Sequence, residues 1–401
     1  MQINRTILKS ILAPLIAFLL STGVAFGVTT YLYAPESGSP ISPVQTPPAG
    51  GKLNIDPSLP KTESCPVNGK MYTKIEKEIW ESRRPLFVMI ENSVEARPQS
   101  GLNEADVIYE AVAEGGITRF GAVYLCDVAA EDTIVGPVRS ARTYFVNLAS
   151  EYNYPLYTHV GGANCSAAPG AGCTTDKRVQ ALEQINDYGW GGSKGNDLNQ
   201  FSIGYPTFWR DYERLGRTVA TEHTMYSSTE KLFSFAKTRG WTNLSPKGEE
   251  WSDEFTSWQF KDDAKETDRG DISSVTFGFW EKYQDFQVVW TYDPASNSYK
   301  RTNGNAPHKD LNNDSQLEAK VVIIQLVREH GPLDDHKHML YDVVGSGEGY
   351  IFQDGKAIEV TWSKPSRTAR TTYKDAKGKS VDFNRGKIFI EIIPSDNKVD
   401  F

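Results

Sequence analysis

The 401-residue sequence predicts an α+β fold in which a mixed helix-and-strand part precedes a smaller, mainly β part. Two observations predict it. In the first part, short apolar runs of strand length alternate with stretches whose apolar residues recur at helical spacing. After Trp241 the composition shifts toward lysine and aspartate, and the later apolar runs have the length and alternation of strands. We therefore expect one domain over residues 65–250 and a second over residues 251–401.

The first 33 residues predict a membrane segment. Arg5 and Lys9 precede an apolar run, Ile11 to Tyr33, that contains no charged residue. Its length suits a membrane-spanning helix, which needs about 20 residues, and the basic flank favours a cytoplasmic N-terminus. A cleavable signal peptide is the alternative, with Ala25 to Gly27 as a cleavage site. The sequence argues against a lipid anchor, because the first cysteine is Cys65.

Residues 34–64 are dominated by Pro, Ser and Gly, a composition typical of a semi-extended tether. An irregular arm packed on the domain near Leu53 to Pro60 is the alternative. The rest of the chain is then expected outside the cytoplasmic membrane, or secreted if the first segment is cleaved. The formal net charge of −8 argues against a nucleic-acid partner. The sequence contains neither a Walker loop nor a dinucleotide fingerprint, and Gly345 to Gly349 is expected to form a turn or bulge. No cofactor is predicted.

Four cysteines in an exported chain predict two disulfides. Cys165 and Cys173 bracket a short flexible loop, which leaves Cys65 and Cys126 as the second pair. Zinc is the alternative, but the spacing provides no CxxC pair and no histidine lies within three residues of a cysteine. We therefore expect disulfides and no metal.

Apolar spacing also predicts individual elements. In the expected hairpin closed by Gly115-Gly116, a period of two places Glu110, Val112 and Glu114 on one face of the first strand. The expected strands and helices of the first part are Leu86–Ile90, Asp106–Glu114, Arg119–Cys126 and Pro155–Val160, with helices over Thr143–Tyr152, Thr175–Asp187 and Thr229–Thr238.

Arginines stand out in the first part, because no lysine occurs between Lys77 and Lys177. A guanidinium group binds carboxylate or phosphate at two points, which an ammonium group does not. Several of these arginines adjoin small or turn-forming residues, where backbone can approach a ligand closely. Two interpretations stay open: an anion-binding cleft, or ion pairs with Glu110, Glu114 and Asp106. The arginines are Arg83, Arg84, Arg97, Arg119, Arg139 and Arg142.

Four long motifs carry a family resemblance: VMIENSVEARPQSGLNEADVIYEAVAEGGITRFGAVY, GPVRSARTYFVNLASEY, THVGG and VGSGEGYIFQDGKAIEVTWSK. Together they resemble the YerB-like family of bacterial cell-envelope (lipo)proteins, whose domains have no known function. The resemblance covers Cys65 to Pro394. It implies an extracytoplasmic, membrane-attached protein with a layered sheet-and-helix (ββα-type sandwich) N-terminal domain and a smaller, mainly β C-terminal domain. It implies no reaction.

The resemblance also indicates candidate ligand-binding positions. The chain departs from the family in lacking a lipidated cysteine and in carrying Ala163 where serine is usual. It also reads Glu222-His223-Thr224 where Pro-His-Asn is usual, so no role is assigned to His223. The predicted ligand-binding residues are Asn92, Arg97, Gln99, Glu110, Glu114, Arg119, Arg139, Arg142 and His159.

Glu114 and His159 are the candidates for catalysis. Glu110 and Glu114 would lie about 13 Å apart along a strand, farther than the roughly 5 to 9.5 Å of a glycosidase pair. His159 closes a strand, where a general base could act, but no nearby Ser or Asp completes a triad. His336 and His338 occur in a loop with Asp334 and are interpreted as solvated rather than metal-binding.

Two functions follow as hypotheses. The first is a non-catalytic, membrane-anchored envelope protein that binds a cell-wall polymer, or a protein of wall synthesis, through an arginine-rich cleft. The second is a wall-acting hydrolase or lyase that uses Glu114 and His159, with the arginines holding an anionic substrate. Aromatic residues between Tyr188 and Tyr212, next to several glycines, are either a sugar-binding platform or ordinary core. The sequence leaves open whether the protein is an enzyme.

Overall fold

The computed structural model describes residues 44–165, 172–192, 195–245 and 247–401. From Thr46 to Phe401 the chain forms one compact unit. In the described ranges, we find no helix with the length and apolar character needed to cross a membrane. The predicted anchor, Ile11 to Tyr33, lies outside these ranges, as does the first part of the predicted tether.

The first part of the unit contains all of the α-helices that the described residues form. Helix α1 has a capping box, in which Thr73 and Glu76 satisfy each other's backbone N–H groups. The strands are β1 (Glu63–Ser64), β2 (Met71–Tyr72), β3 (Leu86–Glu91), β4 (Val107–Glu114), β5 (Ile117–Tyr124), β6 (Ile134–Val135), β7 (Leu156–His159), β8 (Asp197–Asn199), β9 (Trp209–Arg210) and β10 (Met225–Ser228). The helices are α1 (Lys74–Glu81), α2 (Thr143–Ala149), α3 (Ala181–Asp187), α4 (Gln200–Ile203) and α5 (Thr229–Thr238).

In the second part, the regular elements of the described residues are strands and short 3₁₀ turns, as the sequence predicts. The strands are β11 (Phe260–Lys261), β12 (Ser274–Phe277), β13 (Val288–Asp293), β14 (Ser298–Asn303), β15 (Ala306–Pro307), β16 (Glu318–Ala319), β17 (Val321–Val327), β18 (Glu329–His330), β19 (Leu340–Tyr341), β20 (Gly345–Gln353), β21 (Lys356–Lys364), β22 (Thr372–Asp375), β23 (Phe383–Asn384), β24 (Ile388–Pro394) and β25 (Val399–Asp400).

The largest sheet joins both parts of the chain. Its ten strands run in the order β22-β21-β20-β17-β24-β4-β5-β3-β7-β8. The junction is a parallel pair, β24 with β4, in which Glu391 lies opposite Glu110. Strands β17 and β24 are almost continuous apolar runs, as expected of strands that are covered on both faces. Strands that precede residue 250 in the sequence and strands that follow it therefore share one core.

Each face of the large sheet is covered by a different layer. A smaller sheet, ordered β15-β14-β13-β12-β25, covers one face, where Trp290 of β13 donates to Glu391 over 3.0 Å. Helix α2 covers the other face, where the Tyr144 hydroxyl donates to the Val112 carbonyl. The molecule is thus a sandwich of helices, large sheet and small sheet. This arrangement confirms the predicted α+β class.

One local prediction fails at the end of β4. The hairpin is present, and Gly115 and Gly116 both have positive φ values (57° and 85°), as a two-residue turn requires. However, a β-bulge between Val112 and Glu114 shifts the register by one residue. Glu110 therefore contacts the smaller sheet, whereas Glu114 points to the opposite face. The expectation that the two carboxylates share one face is wrong for this reason.

Two other predicted elements differ from the structure in smaller ways. The stretch from Gly345 to Gly349 is the first half of β20, not a turn, and its glycines let neighbouring groups approach: a Cβ on Gly349 would lie 2.3 Å from the Ile324 carbonyl. The helix expected over Thr175–Asp187 is shorter and begins at Ala181. Both predicted disulfides are present, Cys65 with Cys126 and Cys165 with Cys173.

Candidate functional site

Two neighbouring cavities are each lined by one of the predicted arginines, Arg139 or Arg142. The first, which we call the arginine cavity, measures about 450 Å³ and is lined by Arg139, Arg210, Phe201 and Glu222 among others. The second, the glutamate cavity, measures about 410 Å³ and is lined by Glu114, Arg142, Thr174, Thr175, His336 and His338 among others. Ser140, Gly162 and Asn164 line both cavities. The two cavities are therefore adjacent parts of one groove.

Backbone pairing builds the wall between the cavities. The Arg139 N–H donates to the Met89 carbonyl over 2.9 Å, and the Ala141 N–H donates to the Gly161 carbonyl over 2.9 Å. Space at Gly162 is tight, because a Cβ there would lie 2.9 Å from the end of the Leu182 side chain and 3.2 Å from the Ala141 Cβ. The groove is thus held by backbone pairing at the ends of strands β3 and β7 rather than by a free loop.

The arginine cavity offers positive charge beside an aromatic ring. The Arg139 side chain is 25% exposed, and its Nε lies 3.2 Å from Glu91 Oε1. Arg210 is exposed, and its guanidinium donates to the Thr221 carbonyl. The side chain of Phe201 is among the most exposed large apolar groups described, at 77%. Glu222 is the carboxylate on this wall.

Glu114 is held between two arginines in the glutamate cavity. Arg119 donates to one carboxylate oxygen over 2.9 Å, and Arg142 Nε donates to the other over 3.1 Å. These charges outweigh burial and hold the pKa of Glu114 well below its usual range. Glu114 is therefore ionised at neutral pH and has no proton to give. Of the two interpretations of the arginines, ion pairing with a carboxylate of the protein therefore applies to Arg119 and Arg142.

His159 lies beneath the groove and is fully buried. One ring nitrogen lies 2.6 Å from the Gly161 carbonyl, and the other lies 2.6 Å from Asp197. The described chain therefore occupies both nitrogens, and neither is presented to the groove. This placement does not favour a general base.

Four of the predicted ligand-binding residues lie away from the groove, between the two sheets. Asn92, Gln99 and Glu110 are fully buried, and Arg97 donates to Asn92 over 3.0 Å. Together with partners from the second part of the chain they form what we call the buried cluster. Its members are Asn92, Arg97, Gln99, Glu110, Arg301, His308 and Glu391.

Hydrogen bonds in the buried cluster run in one direction. Arg301 donates to His308 over 2.6 Å, and His308 donates to Gln99 over 2.8 Å. Gln99 donates to Asn92 over 2.9 Å, which in turn donates to Glu110 over 2.9 Å. Burial and the Arg301 charge lower the pKa of His308 well below its usual value, which keeps the ring neutral. Most of the cluster is a packed polar core, whereas Arg97 and His308 also line a separate cavity of about 610 Å³.

Metal ligands are scarce in the described part of the chain. Three groups that could hold an ion, from Cys65, Asp106 and Cys126, lie within 4.8 Å of one another. The two sulfur atoms are joined as a disulfide, so they are not available as thiolate ligands. His338 is hydrogen-bonded to Asp334 over 2.9 Å.

Sequence reasoning missed several residues of the groove. Arg210, Phe201 and Glu222 come from segments that follow the arginine motifs by about 60 to 80 positions in the printed sequence. Phe201 lies within the aromatic stretch from Tyr188 to Tyr212, which was the available signal. The two interpretations of that stretch each apply to some of its aromatic residues. Trp190 and Phe208 are core residues, whereas Phe201, Tyr205 and Tyr212 are exposed.

Comparisons with known proteins define the class. One family model, described as "Protein of unknown function (DUF3048) N-terminal domain", matches residues 72–242, and its C-terminal counterpart matches residues 275–390. The chain belongs to this family, which confirms the predicted resemblance. A curated relative, "Putative lipoprotein YerB" of Bacillus subtilis (strain 168), is 28% identical over 340 residues, which cover 84% of this chain and 88% of the relative.

The fold has also been seen in a relative. The crystal structure of the YerB protein from Bacillus subtilis matches with a TM-score of 0.64 at 24% identity. The match covers 85% of this chain and 100% of that chain. Both parts of the sandwich are therefore features of the shared fold.

Proposed function

We propose that this protein is a membrane-attached protein of the bacterial envelope, and that its groove binds an anionic cell-wall polymer without cleaving it. One observation carries the proposal: Arg139, Arg210 and the exposed ring of Phe201 line the same accessible cavity. Two guanidinium groups suit a phosphate or carboxylate group. An exposed ring suits the apolar face of a sugar.

The rest of the groove fits such a polymer. Ser140 and Asn164, at the boundary of the two cavities, offer the donors and acceptors that sugar hydroxyls need. Beyond them, Thr174 and Thr175 add hydroxyl groups along the glutamate cavity. Because two cavities of similar size adjoin, an extended chain of repeating units fills them better than one compact molecule does.

The location outside the cytoplasm is supported by three points. The curated relative is named as a lipoprotein. Two disulfides suit an oxidising compartment, because cytoplasmic thiols are kept reduced. The sequence begins with a basic flank and an apolar run of membrane-spanning length. We infer that this run attaches the protein to the membrane.

Cleavage is not part of the proposal. Glu114 is ionised by its two arginine partners, so it does not serve as a general acid at neutral pH. His159 has both ring nitrogens engaged within the described chain. Neither Glu114 nor His159, the two residues on which the hydrolase alternative depends, therefore offers the proton transfer that it requires.

The test is binding by the full-length chain in nanodiscs of uncharged lipid. We expect binding of soluble glycan strands or of poly(glycerol phosphate), measured by fluorescence with labelled polymer. The double variant Arg139→Ala/Arg210→Ala should lose at least about tenfold in affinity, because each charge-assisted contact contributes about 1.5–3 kcal/mol. Phe201→Ala should also weaken binding, more for the glycan than for the polymer without sugar rings.

The matched control is Lys309→Ala, which removes one positive charge at a position that lines neither cavity. It should bind as the natural protein does. Binding of no wall polymer, or equal losses in the control and the double variant, would overturn the proposal. New fragments of polymer in the mass spectrum would favour the hydrolase or lyase instead. Retention of a wall-synthesis protein by the same groove residues would favour a protein partner.

A further inference from the structure

A chain of ionic contacts runs beneath the arginine cavity. Arg139 Nε lies 3.2 Å from Glu91 Oε1. The other oxygen of Glu91 lies 2.8 Å from His223 Nδ1, and His223 Nε2 lies 3.3 Å from Glu95. Glu91 and His223 are nearly buried, with side chains 4% and 9% exposed, whereas Glu95 is 67% exposed. These contacts, which we call the relay, connect Arg139 of the groove to His223, which does not line the groove.

The fold holds the members of this relay in place. Glu91 is the last residue of β3, and its N–H donates to the Pro137 carbonyl over 3.0 Å. Arg139 follows two residues later on the same neighbouring segment, which is hydrogen-bonded to β3 through Met89. His223 ends a 3₁₀ turn that begins at Thr221. Because the backbone is paired on these sides, the side chains respond to charge without a change of fold.

His223 is surrounded by charged groups from every element packed on it. Glu91 faces it from β3, Glu95 from the following 3₁₀ turn, Arg139 from the groove wall, and Glu222 from its own turn. The Ser93 hydroxyl is 3.5 Å away. The hydrogen bond with Glu91 raises the pKa of His223 above its usual value, while burial and the Arg139 charge oppose that effect.

We infer that His223 is a positioning residue of the groove: through Glu91 it sets how firmly Arg139 is held away from a bound anion. This inference rests on the proposed function. It assigns His223 a role that the sequence did not predict. It also makes anion binding in the arginine cavity depend on the protonation of His223.

The physical reason is competition for one carboxylate. When His223 is protonated, Glu91 divides its charge between an imidazolium and a guanidinium, so Arg139 is held less tightly and can turn to an anion. The imidazolium also adds a positive charge behind the cavity. When His223 is neutral, Arg139 alone balances Glu91. Binding should therefore be tightest when His223 is protonated and should weaken as pH rises through its pKa.

Linkage provides a second, reciprocal consequence. If protonation of His223 tightens anion binding by some factor, the bound anion must raise the pKa of His223 by the logarithm of that factor. A tenfold effect corresponds to about one pKa unit. If His223 only stabilised the fold, its protonation would not change the affinity for the anion, and the bound anion would not change the pKa of His223.

The first experiment needs no ligand. In the full-length chain labelled with ¹⁵N, NMR follows the His223 ring nitrogens and the Arg139 Nε–H group between about pH 5 and pH 8, where histidines titrate. We expect the Arg139 signal to move with the same midpoint as His223. In His223→Gln the Arg139 signal should stay constant. An Arg139 signal that ignores the His223 titration would overturn the inference while leaving the proposed function untouched.

The second experiment measures the affinity for poly(glycerol phosphate) over the same range, because phosphodiesters keep a constant charge there. We expect affinity to fall about fivefold to tenfold toward high pH, the effect of about one pKa unit at one site. His223→Gln should bind at the weaker level throughout, with a flat profile. His330→Gln, at a half-buried histidine paired with Asp342 and outside both cavities, is the matched control and should keep the natural profile.

The outcomes separate the two proposals. If the natural protein binds no poly(glycerol phosphate) or glycan at any pH, the proposed function fails. If it binds but His223→Gln keeps the natural pH profile, the positioning role fails. If His336→Gln flattens the profile and His223→Gln does not, the responsible histidine is the one that lines the glutamate cavity, and the inference is overturned. Melting temperatures check that each variant folds.

Discussion

Glu110 and Glu391 lie side by side in the interior, directly opposite each other on the parallel strands β4 and β24. Burial and the charge of Glu110 raise the pKa of Glu391 well above its usual range, so the pair retains a proton. Arg301 of the smaller sheet contacts both carboxylates and balances the remaining charge. The two sheets must pack together for this compensation to exist, so the cluster joins the two parts of the chain.

Replacing Arg301 with methionine should destabilise the protein by about 3–5 kcal/mol, because it leaves a buried carboxylate without its partner. Glu391→Gln is the matched control. Its side chain is already uncharged in our interpretation, and the amide oxygen can still accept from Trp290, so we expect a cost of about 1 kcal/mol or less. Urea unfolding followed by tryptophan fluorescence measures both. Similar losses in the two variants would contradict the assignment of the proton.

Arg139 and Arg142 should respond differently to substitution. Arg139→Lys keeps the charge near Glu91 but loses the two-point fork, so polymer binding should weaken about tenfold while unfolding free energy changes by less than about 0.5 kcal/mol. Arg142→Ala removes a partner of the half-buried Glu114 and should cost about 2 kcal/mol. Parallel melts and binding curves test the contrast. A collapse of stability in Arg139→Lys would indicate a structural role instead.

Glu104 should make stability depend on pH. Burial raises its pKa to about 7, and its Oε2 has no hydrogen-bond partner among the described groups. The folded protein then binds this proton more tightly than the unfolded chain does. Its contribution to stability is complete below the unfolded pKa of about 4.5 and is lost as pH rises toward about 7.

Glu104→Gln should therefore become more stable than the natural protein as pH rises through that window. The difference in unfolding free energy should reach about 3 kcal/mol, because each unit of pKa shift corresponds to about 1.4 kcal/mol. Urea midpoints measured across the window provide the test. The exposed Glu359 offers a matched control, Glu359→Gln, which should follow the natural curve. Parallel curves for Glu104→Gln and the natural protein would show that this carboxyl does not carry the effect.

The two disulfides should contribute unequally. Cys65 and Cys126 are separated by 61 positions, and Cys165 and Cys173 by 8. In the chain-entropy account the longer loop contributes about 4 kcal/mol and the shorter about 2.5 kcal/mol. Paired Cys→Ala variants and non-reducing peptide mapping test this order. Four alkylatable thiols in protein taken from its own compartment would contradict both bonds.

Much of this protein was determined by local sequence. The apolar run Leu86 to Ile90 was predicted as a strand, and β3 extends it by one residue to Glu91, since a short apolar stretch before a turn is typical of a buried strand. The helix over Thr229 to Thr238 was equally clear from its apolar spacing and the glycine that follows. Cysteine count and export signals together predicted both disulfides. These are properties of short segments or of composition.

The site was decided by tertiary structure. A single-residue bulge turns Glu114 toward Arg119 and Arg142, and no pattern of period two could place it there. Arg301 reaches Glu110 across 191 positions of sequence. Packing of the two sheets brings Arg301 and Glu110 together, whereas backbone pairing with β3 leaves Arg139 at an accessible wall. The sequence alone determined which residues can bind anions, whereas long-range packing decided which of them are already neutralised by the protein itself.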